Sequence, residues 1–173
     1  MELQLHLHRW QRHQTDWAVA AASGFAAGAV LMVLELIWAT VMSTSGPWRI
    51  SQLVAALVLG PQTLQGSSGS FNIWIVTVAL ATHYVLGIVF GMILGFISAG
   101  FRYDTSPRAM AIVGLVFGAV LYFVDFHLVA SYFPWLAELR GWATFVAHLI
   151  FGITASLLYW MLASRRALPQ RSP

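Results

Sequence analysis

Long apolar runs separated by short polar breaks make up the chain, and the length of the runs decides its class. Trp17–Met42, Phe71–Ser98, Ala109–Tyr132 and Trp142–Leu162 are almost free of charge, and a helix needs about 20 apolar residues to cross the hydrocarbon core of a bilayer. In lipid every backbone N–H and C=O must be satisfied by helix or closed-barrel pairing, and runs this long and continuous are not barrel strands. The pattern predicts an all-α membrane protein, a four-transmembrane-helix up-down bundle forming a single integral membrane domain over residues 1–173. A shorter run, Trp48–Leu59, is opened by Ser45-Gly46-Pro47 and closed by Gly60-Pro61, with proline expected at the first helical position. It is too short to span, so it is expected as an interfacial or re-entrant helix between spans one and two, with Arg49 and Gln52 among the headgroups.

The breaks carry their own signals. Gln65–Ser70 reads as a flexible hinge into span two. Thr105-Ser106-Pro107 is expected to cap span three, and Pro134 to end it. The short connector that follows makes spans three and four an antiparallel hairpin. No sequence repeat argues for an inverted-repeat transporter.

Composition agrees with this picture: 59% of residues are hydrophobic, 9% are charged, and mean hydropathy is +0.75. A soluble domain carries roughly a quarter charged residues. Cysteine is absent, which excludes disulfides, thiolate metal sites and redox thiols. The first run is longer than the core of a signal peptide and reads as an uncleaved anchor. The net charge of +3 comes from nine arginines, with no lysine, against six acids. Most of the arginines flank apolar runs, so the basic balance is a topology signal and not a nucleic-acid footprint.

Arginine placement gives an orientation. Arg9, Arg12, Arg102, Arg108, Arg165, Arg166 and Arg171 fall on one side and only Arg49 and Arg140 on the other. The positive-inside rule then places both termini and the Phe101–Pro107 loop in the cytoplasm, and a bacterial inner membrane is the expected location. Tryptophans mark both boundaries, with Trp10, Trp17 and Trp160 inside and Trp38, Trp48, Trp74, Trp135 and Trp142 outside.

Helices in lipid associate through small residues that let backbones approach. Span one carries Ala20, Gly24 and Gly28 on one face; span two carries Gly87, Gly91 and Gly95; span three carries Gly114 and Gly118; span four carries Thr144 and Gly152, continuing to Ser156 and Tyr159. Each of these faces also holds one ionisable residue: Glu35, His83, Asp125 and His148. At about 1.5 Å of rise per residue all four belong to the outer half or the midplane, where they are expected to converge on one polar pocket. His127 lies about 200° from Asp125 around a helix and is expected to face away, as an interfacial anchor.

Charge in a span is costly, at least about 2.5–3.5 kcal/mol at the centre, so four such residues require pairing, water or a bound species. A purely structural reading makes them polar fasteners between helices. A functional reading makes them a site, and three classes compete. Two carboxylates and two imidazoles suit a metal, though no span holds a Glu-x-x-His or His-x-x-x-His pair, and b-type haem between His83 and His148 is a variant. Carboxylate–histidine chains also mark proton or cation paths, but the cytoplasmic half offers only Ser23, Ser98, Ser156 and Tyr159. The third class, favoured by small size and short loops, is a non-enzymatic accessory or binding subunit of a larger membrane assembly, with other membrane subunits or further copies as partners. No phosphate-binding loop, nucleophile elbow or zinc-protease motif is present, so an enzyme is not expected, and no cofactor is required.

Thr82-His83, the glycines of spans one and three, Phe133-Pro134-Trp135 and Ala147-His148-Leu149 resemble small bacterial inner-membrane proteins of the YagU type. The resemblance covers mostly spans two to four. It implies the four-span topology and singles out His83 and His148, without bringing a settled chemistry.

Overall fold

The computed structural model describes residues 14–42, 45–65, 70–100 and 106–166. Its elements are α1 (Trp17–Met42), α2 (Trp48–Leu59), a 3-10 turn (Pro61–Leu64), α3 (Ile73–Gly100), α4 (Pro107–Phe123) and α5 (Trp142–Arg166). α4 runs on into a π turn, Val124–Leu128, and a 3-10 turn, Val129–Ser131, while a further 3-10 segment, Pro134–Leu139, leads into α5. Four helices are long and apolar enough to cross a membrane: Trp17–Met42, Ile73–Gly100, Pro107–Ser131 and Trp142–Arg166. Together they form the up-down bundle, with the short helix α2 between the first two.

Local chemistry sets the helix ends, and several differ from the sequence expectation. α3 starts at Ile73 and not Phe71, because Asn72 Oδ1 accepts from the N–H groups of Trp74 (3.0 Å) and Ile75 (3.3 Å) and so caps the first turn. Asp16 does the same for α1, accepting from Val19 N–H at 3.0 Å. α4 starts at Pro107 and not Ala109; Ser106 precedes it in an extended conformation, but its side chain makes no capping bond. The expected cap at Thr105 and the hinge residues 66–69 lie outside the described residues. Proline is not the first residue of α2 either: Pro47 stands just before Trp48, after Gly46 at φ 80°. The stop at Gly60 is a left-handed one, φ 88°, which favours glycine. Pro134 does not end the third span, which has finished winding at Ser131; it opens the next 3-10 segment. α5 continues past Leu162 to Arg166, whose guanidinium pairs with Asp16 at 2.8 Å and joins the two outermost helices of the sequence at one end of the bundle.

The helices neighbour one another in the order α3–α1–α5–α4, and α3 and α4 touch only weakly. Two glycine crossings make the strong contacts. A methyl group added at Gly24 would lie 2.7 Å from the Gly91 Cα and collide with the Gly87 carbonyl; one at Gly114 would lie 2.7 Å from the Gly152 carbonyl carbon. The backbones therefore touch, as small-residue packing in lipid requires. Ala27, Leu31, Leu94, Leu121, Ala147, Phe151 and Ala155 form the central core, and Val19, Ala20, Met110 and Tyr159 close the end where Asp16 meets Arg166. Val33, Ile37, Val85, Ile112 and Val116 are exposed along the outside, which is the surface lipid would cover.

At the other end α2 packs along α3. Arg49 Nη2 reaches Glu138 at 2.8 Å, and Trp135 Nε1 donates to the Leu53 carbonyl at 3.2 Å, which ties α2 to the Pro134–Leu139 segment. Gln52 departs from expectation. It is 3% exposed and reaches the Ser70 carbonyl at 3.5 Å, so it is a buried tie within the fold and not a headgroup contact.

Candidate functional site

Glu35 on α1, His83 on α3, Asp125 in the π turn and His148 on α5 line one cavity of about 90 Å³, walled by Gly28, Leu31, Phe90, Leu121 and Phe151 and completed by Val54, Leu136 and Leu139. A water needs about 10–15 Å³ of such space, so the cavity has room for several. The glycines explain the convergence. Gly24 and Gly28 bring α1 onto Gly87 and Gly91 of α3, and Gly114 and Gly118 bring α4 onto Gly152 and the backbone of His148. Each ionisable residue sits beyond its glycines toward the α2 end of the bundle.

Asp125 and His148 are the closest pair, with Nε2 to Oδ2 at 3.7 Å and side chains 23% and 5% exposed. That separation suits charge pairing and is longer than a hydrogen bond. The other ring nitrogen, Nδ1, lies 2.8 Å from the Thr144 carbonyl and donates to it. A neutral imidazole bonded in that way turns a lone pair at Nε2 toward Asp125. Glu35 stands within electrostatic reach of both His148 and Asp125. His83 faces the same histidine and reaches the backbone of Gly28.

The π turn that presents Asp125 interrupts the regular helical hydrogen-bond ladder inside a span, where an unpaired carbonyl is costly. Arg140 compensates, its Nε donating to the Phe126 carbonyl at 2.6 Å. His127 is exposed, as its position opposite Asp125 predicts, and packs against the rings of Phe123 (5.3 Å) and Tyr122 (5.9 Å).

The other half of the bundle is packed at its centre, while an apolar hollow of about 570 Å³ lies between α3 and α4, lined by residues such as Ile97, Ile112 and Val116. Ser23, Ser98 and Ser156 are 1%, 0% and 0% exposed, and Leu94 and Met110 are equally buried. The hydroxyls of Ser23 and Ser98 have no hydrogen-bond partner among the described residues. Among the described residues no three His, Asp or Glu side chains group closely enough to hold a metal ion. The groove of Gly87, Gly91 and Gly95 beside His83 is filled by α1 and Tyr159, which leaves no space there for the flat macrocycle of the haem variant.

A second cavity, about 210 Å³, has no counterpart in the sequence reading. It lies between α1, α2 and α3 and shares Glu35 and His83 with the first. Apart from Ser51, its remaining walls, among them Met32, Leu36, Trp48 and Leu80, are apolar residues that read like any lipid-facing position, so no ionisable signal marks them.

The fold and the acid–histidine cavity define a class: a multi-pass helical membrane protein with two carboxyl and two imidazole side chains gathered between its spans. Comparison with protein-family models, curated proteins and solved structures finds no match. The functional reading therefore rests on the geometry.

Proposed function

We propose that the protein is a non-enzymatic binding subunit of the bacterial inner membrane, accessory to a larger assembly, and that its acid–histidine cavity holds a small polar or cationic group. The observation that carries this reading is the meeting of Glu35, His83, Asp125 and His148, one from each span, on a single cavity. Fasteners between helices need only touch in pairs, whereas these four surround shared space. The packed half around Ser23, Ser98 and Met110 favours a one-sided pocket over a conduit for protons or cations. The YagU-type resemblance is in keeping with this reading, since it too points at His83 and His148.

Small molecules extracted from purified protein and compared by mass spectrometry test the proposal. A species that accompanies the wild-type protein and is lost from Glu35→Gln and Asp125→Asn is the expected result. Identical extracts from all three proteins would overturn it.

A further inference from the structure

We infer that the chain is a tandem pair of two-span units, and that the cavity between α1, α2 and α3 is the binding site for a planar aromatic ring carrying a hydroxyl or amine. The inference deepens the proposed function by naming the ligand class, and it rests on that reading. The repeat is visible once the two halves are aligned on their glycines. Gly24-x-x-x-Gly28-Ala29-Val30-Leu31-x-x-x-Glu35 matches Gly114-x-x-x-Gly118-Ala119-Val120-Leu121-x-x-x-Asp125. His83-x-x-x-Gly87-Ile88 matches His148-x-x-x-Gly152-Ile153, and Pro47-Trp48 matches Pro134-Trp135 between them. Both units run in the same direction through the bundle, so this is a parallel repeat and not an inverted one.

The contacts repeat as well as the letters. Gly24 meets Gly87 and Gly91, and Gly114 meets Gly152 and Ser156; Gly28 lies against the carbonyl of His83, and Gly118 against that of His148. A shared motif alone would not reproduce the same crossing, residue for residue.

Equivalence makes one half a template for the other. Around the second histidine the space is filled: the Tyr122 ring lies 5.3 Å from Phe126 and 5.2 Å from Phe145, and His148 packs against Phe126 at 5.3 Å and Tyr122 at 6.0 Å. The counterparts of Tyr122, Phe126 and Phe145 are Met32, Leu36 and Leu80, and all three line the cavity of about 210 Å³ beside His83. Where the second unit supplies its own phenol and phenyl rings, the first leaves a hollow with an imidazole and a carboxylate on its wall. A ring placed there takes up against His83 the position that Tyr122 and Phe126 hold against His148. The match to Tyr122 extends to the ring and not to its hydroxyl, which accepts from the Gly141 N–H at 3.2 Å; in the hollow the polar partner on the wall is Glu35, which makes no hydrogen bond or ion pair to another described residue.

The probe is para-fluorophenol, followed by fluorine NMR in detergent against protein-free micelles. Wild-type protein is expected to bind it saturably. Grafting the second unit's rings, as Met32→Tyr, Leu36→Phe and Leu80→Phe together, should fill the hollow, abolish binding and raise the unfolding temperature. The single Leu80→Phe variant, a milder filling, should weaken binding several-fold. No saturable binding by the wild type, or binding undiminished in Leu80→Phe, would overturn the inference, as would a graft that unfolds while the single variant binds normally. Because the extraction experiment also depends on Asp125, outside this hollow, a failure here leaves the proposed function standing. Identical extracts there would remove it whatever para-fluorophenol does.

Discussion

At the residue scale, the side chains that matter most are those that lipid penalises most. Asp125 and His148 are paired at 3.7 Å, and polar pairs between transmembrane helices couple by about 0.6 kcal/mol on average and up to ~1.7. A double-mutant cycle of Asp125→Asn and His148→Gln, read by unfolding in mixed micelles, should return a coupling in that range; strict additivity would show that the two do not interact. Asp16 offers a pH test outside the spans. The Val19 N–H holds its carboxyl below the ordinary 3.8, with burial opposing and Arg166 adding to the depression. A depressed folded-state value means that its stabilisation is present above about pH 3.8 and is lost as pH falls through the lower folded value. Wild type and Asp16→Asn should therefore differ in unfolding temperature near neutrality and converge in acid. The four clustered residues were legible in the sequence because each is an isolated ionisable group on a glycine face. Gln52 was misread because a glutamine near a helix end looks the same whether water or the Ser70 carbonyl satisfies it.

At the element scale, the crossings define which glycines are indispensable. A methyl group at Gly24 meets backbone at 2.7 Å, whereas one at Gly28 meets its nearest neighbour, the Gly87 Cα, at 3.6 Å, an ordinary contact. Gly24→Ala should cost about 1–3 kcal/mol by overpacking, and Gly28→Ala should be close to neutral, as compared by thermal unfolding in the same detergent. The π turn makes a separate demand. Arg140→Met leaves the Phe126 carbonyl without its 2.6 Å donor, at a cost of about 1–3 kcal/mol for an unsatisfied buried acceptor; hydrogen exchange over Val124–Leu128 should accelerate in the variant. The spans and α2 were legible from run length and from Gly60-Pro61. The π turn was not, since Val124–Leu128 continues the apolar pattern of α4 without a break, and its stabilising donor lies in a different segment.

At the scale of the whole molecule, the up-down bundle puts the α2 end and the Asp16–Arg166 end on opposite faces of a bilayer. The absence of cysteine makes orientation directly measurable. With Ser131→Cys and Ser164→Cys, exposed positions at the C-terminal ends of two antiparallel spans and so at opposite ends of the bundle, a membrane-impermeant maleimide applied to intact spheroplasts should label the first and spare the second. The reverse pattern would invert the topology that the arginines imply. Neighbour order was the part of the architecture least open to sequence reading. Glycine faces say that helices approach closely, but not which partner each one chooses, and the hollow beside His83 comes into view only against its filled counterpart. That counterpart has a consequence for how the chain can change. A duplicated unit offers two copies of one scaffold, and here the copy around Tyr122, Phe126 and Phe145 is committed to its own packing. Selection can then redraw Met32, Leu36 and Leu80 in the other copy, one side chain at a time, without dismantling the anchor that keeps the bundle folded.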